Sequence, residues 1–342
     1  MTDRITRRDF LKLVGGAIGA AAFGTPAALA YELEEREPIL PPAPLGRVAF
    51  ASVEIRELPV AKARLIRSAP RDEVLELLEQ VGGQAVLLHN STWYRTGEGY
   101  VYSSWVQPVR QVENIVEPYY AVSKFWGELT VPFSDSRLAP DPQAARFMRV
   151  YYSAVFRVVD AVMGKDGQWW YRLQEGITSS PGPYVPAVHI RRFDLAELEP
   201  ISPGVLDKHI EVDLQAQTIT AYESGSPVVS SRVSSGYGEF RTPRGKHSVL
   251  FKYPAVRMTG GTGSDFYDLP GVAFSTFFTW SGVAIHGTYW HNDYGRPRSH
   301  GCLNVPPDVA RWFWRWTAPV APHEEPFYYT PRDVLATTVI VT

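Results

Sequence analysis

The stretch VAIHGTYWHNDYGRPRSHGCLN, from Val283 to Asn304, decides how the rest of the chain is interpreted. It holds the only cysteine, Cys302, and three of the chain's 8 histidines. Its first three residues form a short apolar run typical of a buried strand, which would leave His286 at the strand's end. Glycine and proline then indicate turns. A strand end and a later loop can therefore bring an imidazole and a thiol together.

A cysteine near a histidine indicates nucleophilic catalysis. A free thiol has a pKa of about 8.5 and is mostly protonated at neutral pH. Because a neighbouring imidazole can take that proton, the sequence predicts a thiolate–imidazolium pair between Cys302 and His286. One alternative is a small buried cysteine without chemistry. Another is a zinc site, which is less favoured because zinc loops usually pair their ligands at short spacing.

The run Ser299-His300-Gly301-Cys302-Leu303-Asn304, with His286 upstream, resembles the signature of the L,D-transpeptidases, whose catalytic domain is the YkuD domain. The resemblance extends over residues 205–342 and includes an opening hairpin at 209–222 and a Thr-Pro-x-Gly turn at 242–245. It implies a mainly β fold, a β-sandwich or barrel with one or two short helices.

The resemblance also implies roles for the residues of this stretch. Cys302 would be the nucleophile and His286 its general base, with the imidazole held by the backbone carbonyl of Gly287. The backbone N–H groups of Gly301 and Cys302 would form an oxyanion hole. The other residues expected to brace the loop, line the cleft or bind substrate are Ser299, His300, Asn304, His291 and Arg298. For His300 a structural role is an equal alternative, and for Arg298 a solvated loop charge is favoured over binding a stem carboxylate. No cofactor and no metal is implied.

The substrate implied by the resemblance is the peptide stem of peptidoglycan. Cys302 would attack the carbonyl between the diamino acid at position three and the terminal D-alanine, forming a thioester and releasing D-alanine. A side-chain amine of a neighbouring stem would then make a 3→3 cross-link. If water completed the cycle instead, the enzyme would be an L,D-carboxypeptidase or endopeptidase, and the sequence leaves this choice open.

Two further classes of protein are less favoured. One family of cysteine hydrolases also pairs with SH3-like repeats, but its cysteine precedes its histidine, whereas here His286 comes first. A non-enzymatic wall-binding protein with a decayed catalytic domain is disfavoured because Cys302, His286 and His300 are intact.

Residues 1–30 are predicted to be an export signal. Thr6–Lys12 matches the twin-arginine pattern, an apolar segment follows, and Ala28–Ala30 supplies the small residues that a signal peptidase reads. The apolar segment is short of the roughly 20 residues that a membrane span needs, although an N-terminal anchor helix is the alternative. The sequence thus predicts export by the Tat pathway to a periplasmic or cell-wall location.

The middle of the chain is predicted to be a Pro-rich linker at 31–46 followed by two small β-barrels at 47–115 and 116–200. The barrels resemble bacterial SH3-like domains, since two Trp-Tyr-Arg triplets occur at 93–95 and 170–172. Aromatic faces of these repeats could bind glycan strands of the cell wall. The alternative, which we favour, is that the rings fill small cores, since each aromatic side chain buries about 150–250 Å².

Two helices are expected in this β-rich pattern. Apolar positions at helical spacing predict one over Arg71–Glu79. Pro306-Pro307-Asp308 predicts the start of another, whose Val309, Trp312, Phe313 and Trp316 would pack it onto a sheet.

The composition fits a globular protein. Hydrophobic residues make up 45% and charged residues 20% of the chain, which excludes wholesale disorder. The net charge of -2, without a basic stripe, argues against a nucleic-acid partner. With 1 Cys the chain cannot form an internal disulfide. The oligomeric state is left open.

Overall fold

The computed structural model describes residues 45–116, 124–174, 182–263 and 266–342. The predicted export signal and nearly all of the predicted linker lie outside these residues. Within the described part the protein is mainly β, as predicted, and contains a single α-helix. None of the helices in this part is long and apolar enough to span a bilayer.

The first region, residues 45–109, holds eight strands in two sheets. The strands are β1 (Leu45–Val48), β2 (Ser52–Arg56), β3 (Leu65–Pro70), β4 (Val74–Glu76), β5 (Glu79–Leu87), β6 (Asn90–Arg95), β7 (Tyr100–Tyr102) and β8 (Val106–Val109). One sheet has the order β4-β1-β8 and the other β3-β2-β7-β6-β5. A 3₁₀ turn at Ser103–Trp105 joins β7 to β8.

The second region, residues 125–192, forms one seven-stranded sheet of order β11-β10-β14-β13-β12-β9-β15. Its strands are β9 (Phe125–Leu129), β10 (Phe133–Arg137), β11 (Arg146–Tyr151), β12 (Val155–Met163), β13 (Trp169–Gln174), β14 (Tyr184–Pro186) and β15 (Ile190–Arg192). A 3₁₀ turn at Ala187–His189 joins its last two strands, and another at Leu195–Glu197 follows the region.

The two regions repeat one order of elements. In each, a Trp-Tyr-Arg strand (β6 or β13) is the second strand of a hairpin and is followed by a short strand, a 3₁₀ turn and another short strand. The Trp and Tyr of both triplets are buried, namely Trp93, Tyr94, Trp170 and Tyr171. These rings therefore fill cores, which was the favoured interpretation. The assignment to SH3-like barrels and its boundaries remain predictions.

The helix predicted over Arg71–Glu79 is wrong. Its centre is β4, which pairs antiparallel with β1. Asp72 has a φ of 68°, a left-handed conformation that a right-handed helix cannot contain. The apolar residues fit a strand instead, because Leu75 is buried while Val74 is exposed. Pairing with β1 has thus overridden the local helical spacing.

The third region, residues 208–341, consists of two five-stranded sheets and the helix α1 (Pro307–Trp316). The strands are β16 (Lys208–Asp213), β17 (Thr218–Glu223), β18 (Ser226–Arg232), β19 (Gly245–Ser248), β20 (Phe251–Gly260), β21 (Tyr267–Phe277), β22 (Ala284–Gly287), β23 (Leu303–Val305), β24 (Tyr328–Tyr329) and β25 (Thr338–Val341). The sheet orders are β18-β17-β16-β25-β19 and β23-β22-β21-β20-β24.

The core of the third region joins both sheets to α1. The predicted opening hairpin is present as β16 and β17, and β25 closes its sheet by pairing parallel with β16. The predicted helix begins at Pro307, and its buried Val309, Phe313 and Trp316 share one apolar cluster with Ile210 of the first sheet. Ile285 of the second sheet belongs to the same cluster. The two sheets and the helix are therefore one packing unit.

Two buried lysines bind the C-terminal end of α1. Lys208 Nζ, from β16, donates to the Trp316 carbonyl at 2.9 Å. Lys252 Nζ, from β20, donates to the carbonyls of Trp314 at 3.0 Å and Thr317 at 2.6 Å. Burial lowers the pKa of Lys252 well below its usual value. The last carbonyls of a helix lack intrahelical partners, so these contacts tie the helix end to both sheets.

Candidate active site

Two short parallel strands bring the predicted nucleophile and base together. In the register of β22 with β23, Ile285 lies opposite Leu303 and His286 opposite Asn304. Cys302 comes directly before β23 and two residues before Asn304. Cys302 therefore lies next to the pair formed by Leu303 and Ile285, and its thiol meets the backbone of Ala284, two residues before His286.

His286 is a buried, neutral base. Its side chain is 2% exposed, and Nδ1 lies 3.1 Å from the Gly287 carbonyl oxygen, the contact that the resemblance implies. A carbonyl only accepts hydrogen bonds, so Nδ1 carries the proton and Nε2 has a free lone pair. Burial lowers the pKa of His286 to about 4, although the Gly287 contact opposes this.

The Cys302 thiol is also neutral at rest. Sγ donates to the Gly282 carbonyl at 3.7 Å, and no hydrogen bond joins it to His286 among the described residues. Although Cys302 keeps part of its surface exposed, the protein around the sulfur raises the thiol pKa to about 11, against a smaller effect of a backbone hydrogen bond from Ala284. Burial disfavours the charged form of both groups, and the predicted thiolate–imidazolium pair stays a prediction.

The loop before the nucleophile is held by the Ser299 side chain. Its hydroxyl donates to the Cys302 carbonyl and accepts from the Gly301 N–H at 3.1 Å. Gly301 has a φ of 115°, which L side chains rarely adopt, so glycine is needed there. The predicted oxyanion role of the Gly301 N–H is corrected, because that group is already bound. The Cys302 N–H is the remaining candidate donor of the two.

The predicted Thr-Pro-x-Gly turn contacts the same loop. The Thr242 hydroxyl donates to the Gly301 carbonyl at 2.8 Å and accepts from the Gly236 N–H at 2.9 Å. A Cβ at Gly236 would lie 1.9 Å from the Phe240 carbonyl oxygen, so only glycine fits. Sequence analysis identified the turn but not this contact, which links two segments about 60 residues apart.

The three histidines of the stretch occupy separate environments. His300 packs among the rings of Phe240, Tyr267 and Tyr237, at centroid distances of 4.3, 5.0 and 6.0 Å. Its Nε2 is buried and has no partner among the described residues.

In the part of the chain that the structure describes, no group of three His, Cys, Asp or Glu side chains is arranged to hold a metal ion.

His291 is a brace behind the catalytic strands, not part of a cleft wall as expected. It is buried, and its Nδ1 accepts from the Asp293 backbone N–H at 3.1 Å. Its Nε2 lies 3.0 Å from the side-chain amide of Asn304. Burial, with a further contribution from the Arg298 charge, lowers the pKa of His291 to about 3. The ring is therefore neutral and connects the loop to β23.

Arg298 is partly buried and forms an ion pair with Asp293. Its Nη1 donates to Asp293 Oδ2 at 2.8 Å, and its guanidinium lies 4.6 Å from the centre of the Phe50 ring. The buried carboxylate of Asp293 engages the guanidinium, so Arg298 is not simply a solvated charge, and its binding of a stem carboxylate stays a prediction. Asp293 was not among the site residues predicted from the sequence. The available signal was a single acidic residue in a loop that also carries Arg296 and Arg298.

The pKa shifts predict how alkylation of Cys302 depends on pH. With a thiol pKa of about 11, the thiolate fraction rises about tenfold per pH unit below that value. We expect the rate of reaction with iodoacetamide, followed by mass spectrometry, to increase steadily from about pH 6 to pH 10. A rate that reaches a plateau near neutral pH would show that the thiol is already ionised there, as in a thiolate–imidazolium pair, and would contradict a neutral resting thiol.

Replacing Thr242 with valine tests the contact between the turn and the nucleophile loop. Thr242→Val leaves the Gly301 carbonyl and the Gly236 N–H without partners, at a cost of about 1–3 kcal/mol in the free energy of unfolding. Because the loop then loses its position, we expect a carbapenem to react with Cys302 about tenfold more slowly.

The matched control is Thr220→Val. Among the described residues the Thr220 hydroxyl bonds only the Ser230 hydroxyl, at 3.0 Å, between β17 and β18. This variant should keep the wild-type rate of reaction, measured by the mass of the covalent adduct. Equal rates for Thr242→Val and wild type would show that the turn does not position the loop.

Comparison with known proteins identifies this region. Residues 207–341 match the family model described as YkuD, L,D-transpeptidase catalytic domain. L,D-transpeptidase 1 of Mycobacterium tuberculosis is 32% identical over 109 residues, which are 30% of this chain and 43% of the relative. The chain therefore matches less than half the length of this curated relative.

Solved structures of the same kind are also similar. A crystal structure of the Enterococcus faecium L,D-transpeptidase is 28% identical and covers 40% of this chain and 50% of its own, with a TM-score of 0.32. An L,D-transpeptidase from Mycobacterium smegmatis is 18% identical over 78% of this chain and 99% of its own, with a TM-score of 0.33. Residues 207–341, which contain both Cys302 and His286, thus belong to the YkuD family of L,D-transpeptidase catalytic domains.

Proposed function

We propose that this protein is an L,D-transpeptidase that joins peptide stems of peptidoglycan by 3→3 cross-links. One observation carries the proposal. The only cysteine of a YkuD-family domain directly precedes β23, the strand that pairs with the strand of His286, and the Nδ1 of this buried imidazole faces the Gly287 carbonyl. This is the arrangement that a thiol nucleophile and its general base require.

The first step forms an acyl-enzyme. Cys302 Sγ attacks the carbonyl carbon of the third stem residue while His286 Nε2 takes the thiol proton. The C–N bond to the terminal D-alanine then breaks, and His286 returns the proton to the leaving amine. Since thiol and imidazole are both neutral at rest, proton transfer accompanies the attack and does not precede it. The acyl group remains on sulfur as a thioester.

The second step regenerates the enzyme. A side-chain amine from a neighbouring stem attacks the thioester, gives its proton to His286, and forms the new amide as the C–S bond breaks. His286 then returns the proton to Cys302. The sum is an exchange of one amide for another, so no oxidant, reductant or nucleotide is consumed. The Cys302 N–H is the proposed donor to the oxyanion of each tetrahedral intermediate.

The resting thiol must turn before it reacts. It is bound to the Gly282 carbonyl and not to His286. Catalytic hydrogen bonds often tighten only when substrate is bound. We propose that the stem peptide displaces the thiol from Gly282 and aligns it with His286 Nε2.

The proposed setting is outside the inner membrane, in the periplasm or cell wall, after export by the Tat pathway. Its support is the twin-arginine pattern of residues 1–30, together with the extracytoplasmic position of peptidoglycan. A contact between the first two regions and glycan strands would need side chains other than the buried Trp-Tyr pairs. Stem peptides are thus the partner that this proposal names.

A product assay with a tetrapeptide stem tests the reaction. We expect mass spectrometry to find a cross-linked dimer that has lost one D-alanine. Cys302→Ala should form none, and His286→Gln should form it about 10²–10⁴-fold more slowly, which is the usual contribution of a general base. His209→Gln changes a histidine on β16, in the other sheet of the third region, whose Nε2 lies 3.6 Å from Glu211, so this variant is the control and should keep full activity.

Three results would contradict the proposal in different ways. Tripeptide without dimer would make the enzyme a carboxypeptidase. Turnover by Cys302→Ala would exclude the nucleophile. Full activity of His286→Gln would exclude the base.

A further inference from the structure

We propose that Asp293 is a positioning residue for the reaction and that His89, from the first region, completes its binding site. The inference rests on the proposed function. It assigns the first region a part in catalysis, whereas the sequence left its task open between binding glycan, binding a partner and spacing the active site from the membrane.

The Asp293 carboxylate is fully buried and is bound from several sides. Oδ2 accepts from Arg296 Nε at 2.6 Å and from Arg298 Nη1 at 2.8 Å. Oδ1 lies 2.8 Å from His89 Nε2. Burial alone would raise the pKa of Asp293, but the two arginines, with a smaller contribution from the Ser104 hydroxyl, hold it below its usual value. A buried carboxylate with this many partners has a fixed position.

His89 belongs to the first region, at the turn between β5 and β6. Its backbone carbonyl accepts from Arg232 Nη1 at 2.8 Å, so the turn itself is held by the catalytic domain. Asn292, next to Asp293, donates its backbone N–H to the Ser104 carbonyl at 3.3 Å and its side-chain amide to the Ser103 carbonyl at 3.3 Å. The first region thus binds the loop through both backbone and side chains.

Hydrogen bonds continue from Asp293 to the catalytic strands. The Asp293 N–H donates to His291 Nδ1, and the other ring nitrogen, Nε2, lies 3.0 Å from the Asn304 side-chain amide. The Asp293 carbonyl accepts from the Ser234 hydroxyl at 2.8 Å, and Ser234 and Asn304 exchange two backbone hydrogen bonds of 2.9 Å. Asn304 lies opposite His286 in the strand register. Both chains of hydrogen bonds, through His291 and through Ser234, therefore reach Asn304, which lies opposite the proposed base.

A small displacement of the loop between His286 and Cys302 would slow the reaction. A reacting group displaced by 1 Å can lose about 10²-fold in rate, even when the mutated residue is far from the chemistry. The loop between His286 and Cys302 connects base to nucleophile, and Asp293 fixes its middle. Loss of the His89 contact frees Oδ1 and lets this loop shift. The first region then acts through Asp293 on the geometry of the active site.

The test uses the full chain and the rate at which a carbapenem acylates Cys302, read from the mass of the adduct. We expect His89→Ala to be acylated about tenfold to a hundredfold more slowly than wild type. His89→Gln, which keeps a donor, should recover to within about threefold of wild type. The matched control His209→Ala removes a histidine that faces Glu211 and stacks on Tyr222, and should react at the wild-type rate.

The outcomes separate this inference from the proposed function. If wild type is not acylated, the proposed function is wrong and the inference falls with it. If wild type is acylated and folded His89→Ala reacts equally fast, only the inference is overturned. Rates for His89→Gln as low as those for His89→Ala also overturn it. Should His89→Ala melt below the assay temperature, Ser104→Ala, which removes the hydroxyl contact to Asp293, takes its place under the same criteria.

Discussion

The parallel pairing of β22 with β23 is the constraint on which the active site depends, because it sets His286 opposite Asn304, two residues after Cys302. Parallel strands need a crossover of about a dozen residues or more, and usually a helix provides it. Here the crossover is a loop without regular structure. Such a loop lacks a repeating hydrogen-bond pattern, so contacts from outside must fix it. The Tyr289 ring, stacked on Tyr151 of the second region at 5.5 Å, and Asp293, bound to His89 of the first, supply them.

Burial decides the charge of each group in this site. His286, His291 and Cys302 lack an opposite charge strong enough to offset desolvation, so all three are neutral at neutral pH. Asp293 is as buried but keeps its charge because Arg296 and Arg298 donate to it. A neutral thiol is less open to oxidation than a thiolate, since the thiolate is the more reactive form. The ionised groups, Asp293, Arg296 and Arg298, hold the loop.

Features that neighbouring residues encode could be predicted from the sequence. The Cys302 run, the upstream His286, the opening hairpin and the proline start of α1 could all be read from neighbouring residues, and they define the catalytic domain. Contacts between distant segments could not. The contact between His89 and Asp293 joins residues 204 apart in the chain, and the strand at Val74–Glu76 exists because β1 pairs with it. Local spacing at that position favoured a helix, and tertiary pairing overrode it.

The proposed mechanism requires a neutral His286 that carries its proton on Nδ1 and offers Nε2 to the thiol. Nitrogen-15 NMR of histidine-labelled protein, with the signal assigned by loss in His286→Gln, measures this directly. We predict the neutral Nδ1–H tautomer at every pH from about 5 to 9, since burial keeps the pKa of His286 at about 4. An imidazolium signal at pH 7, or a proton on Nε2, would contradict the account.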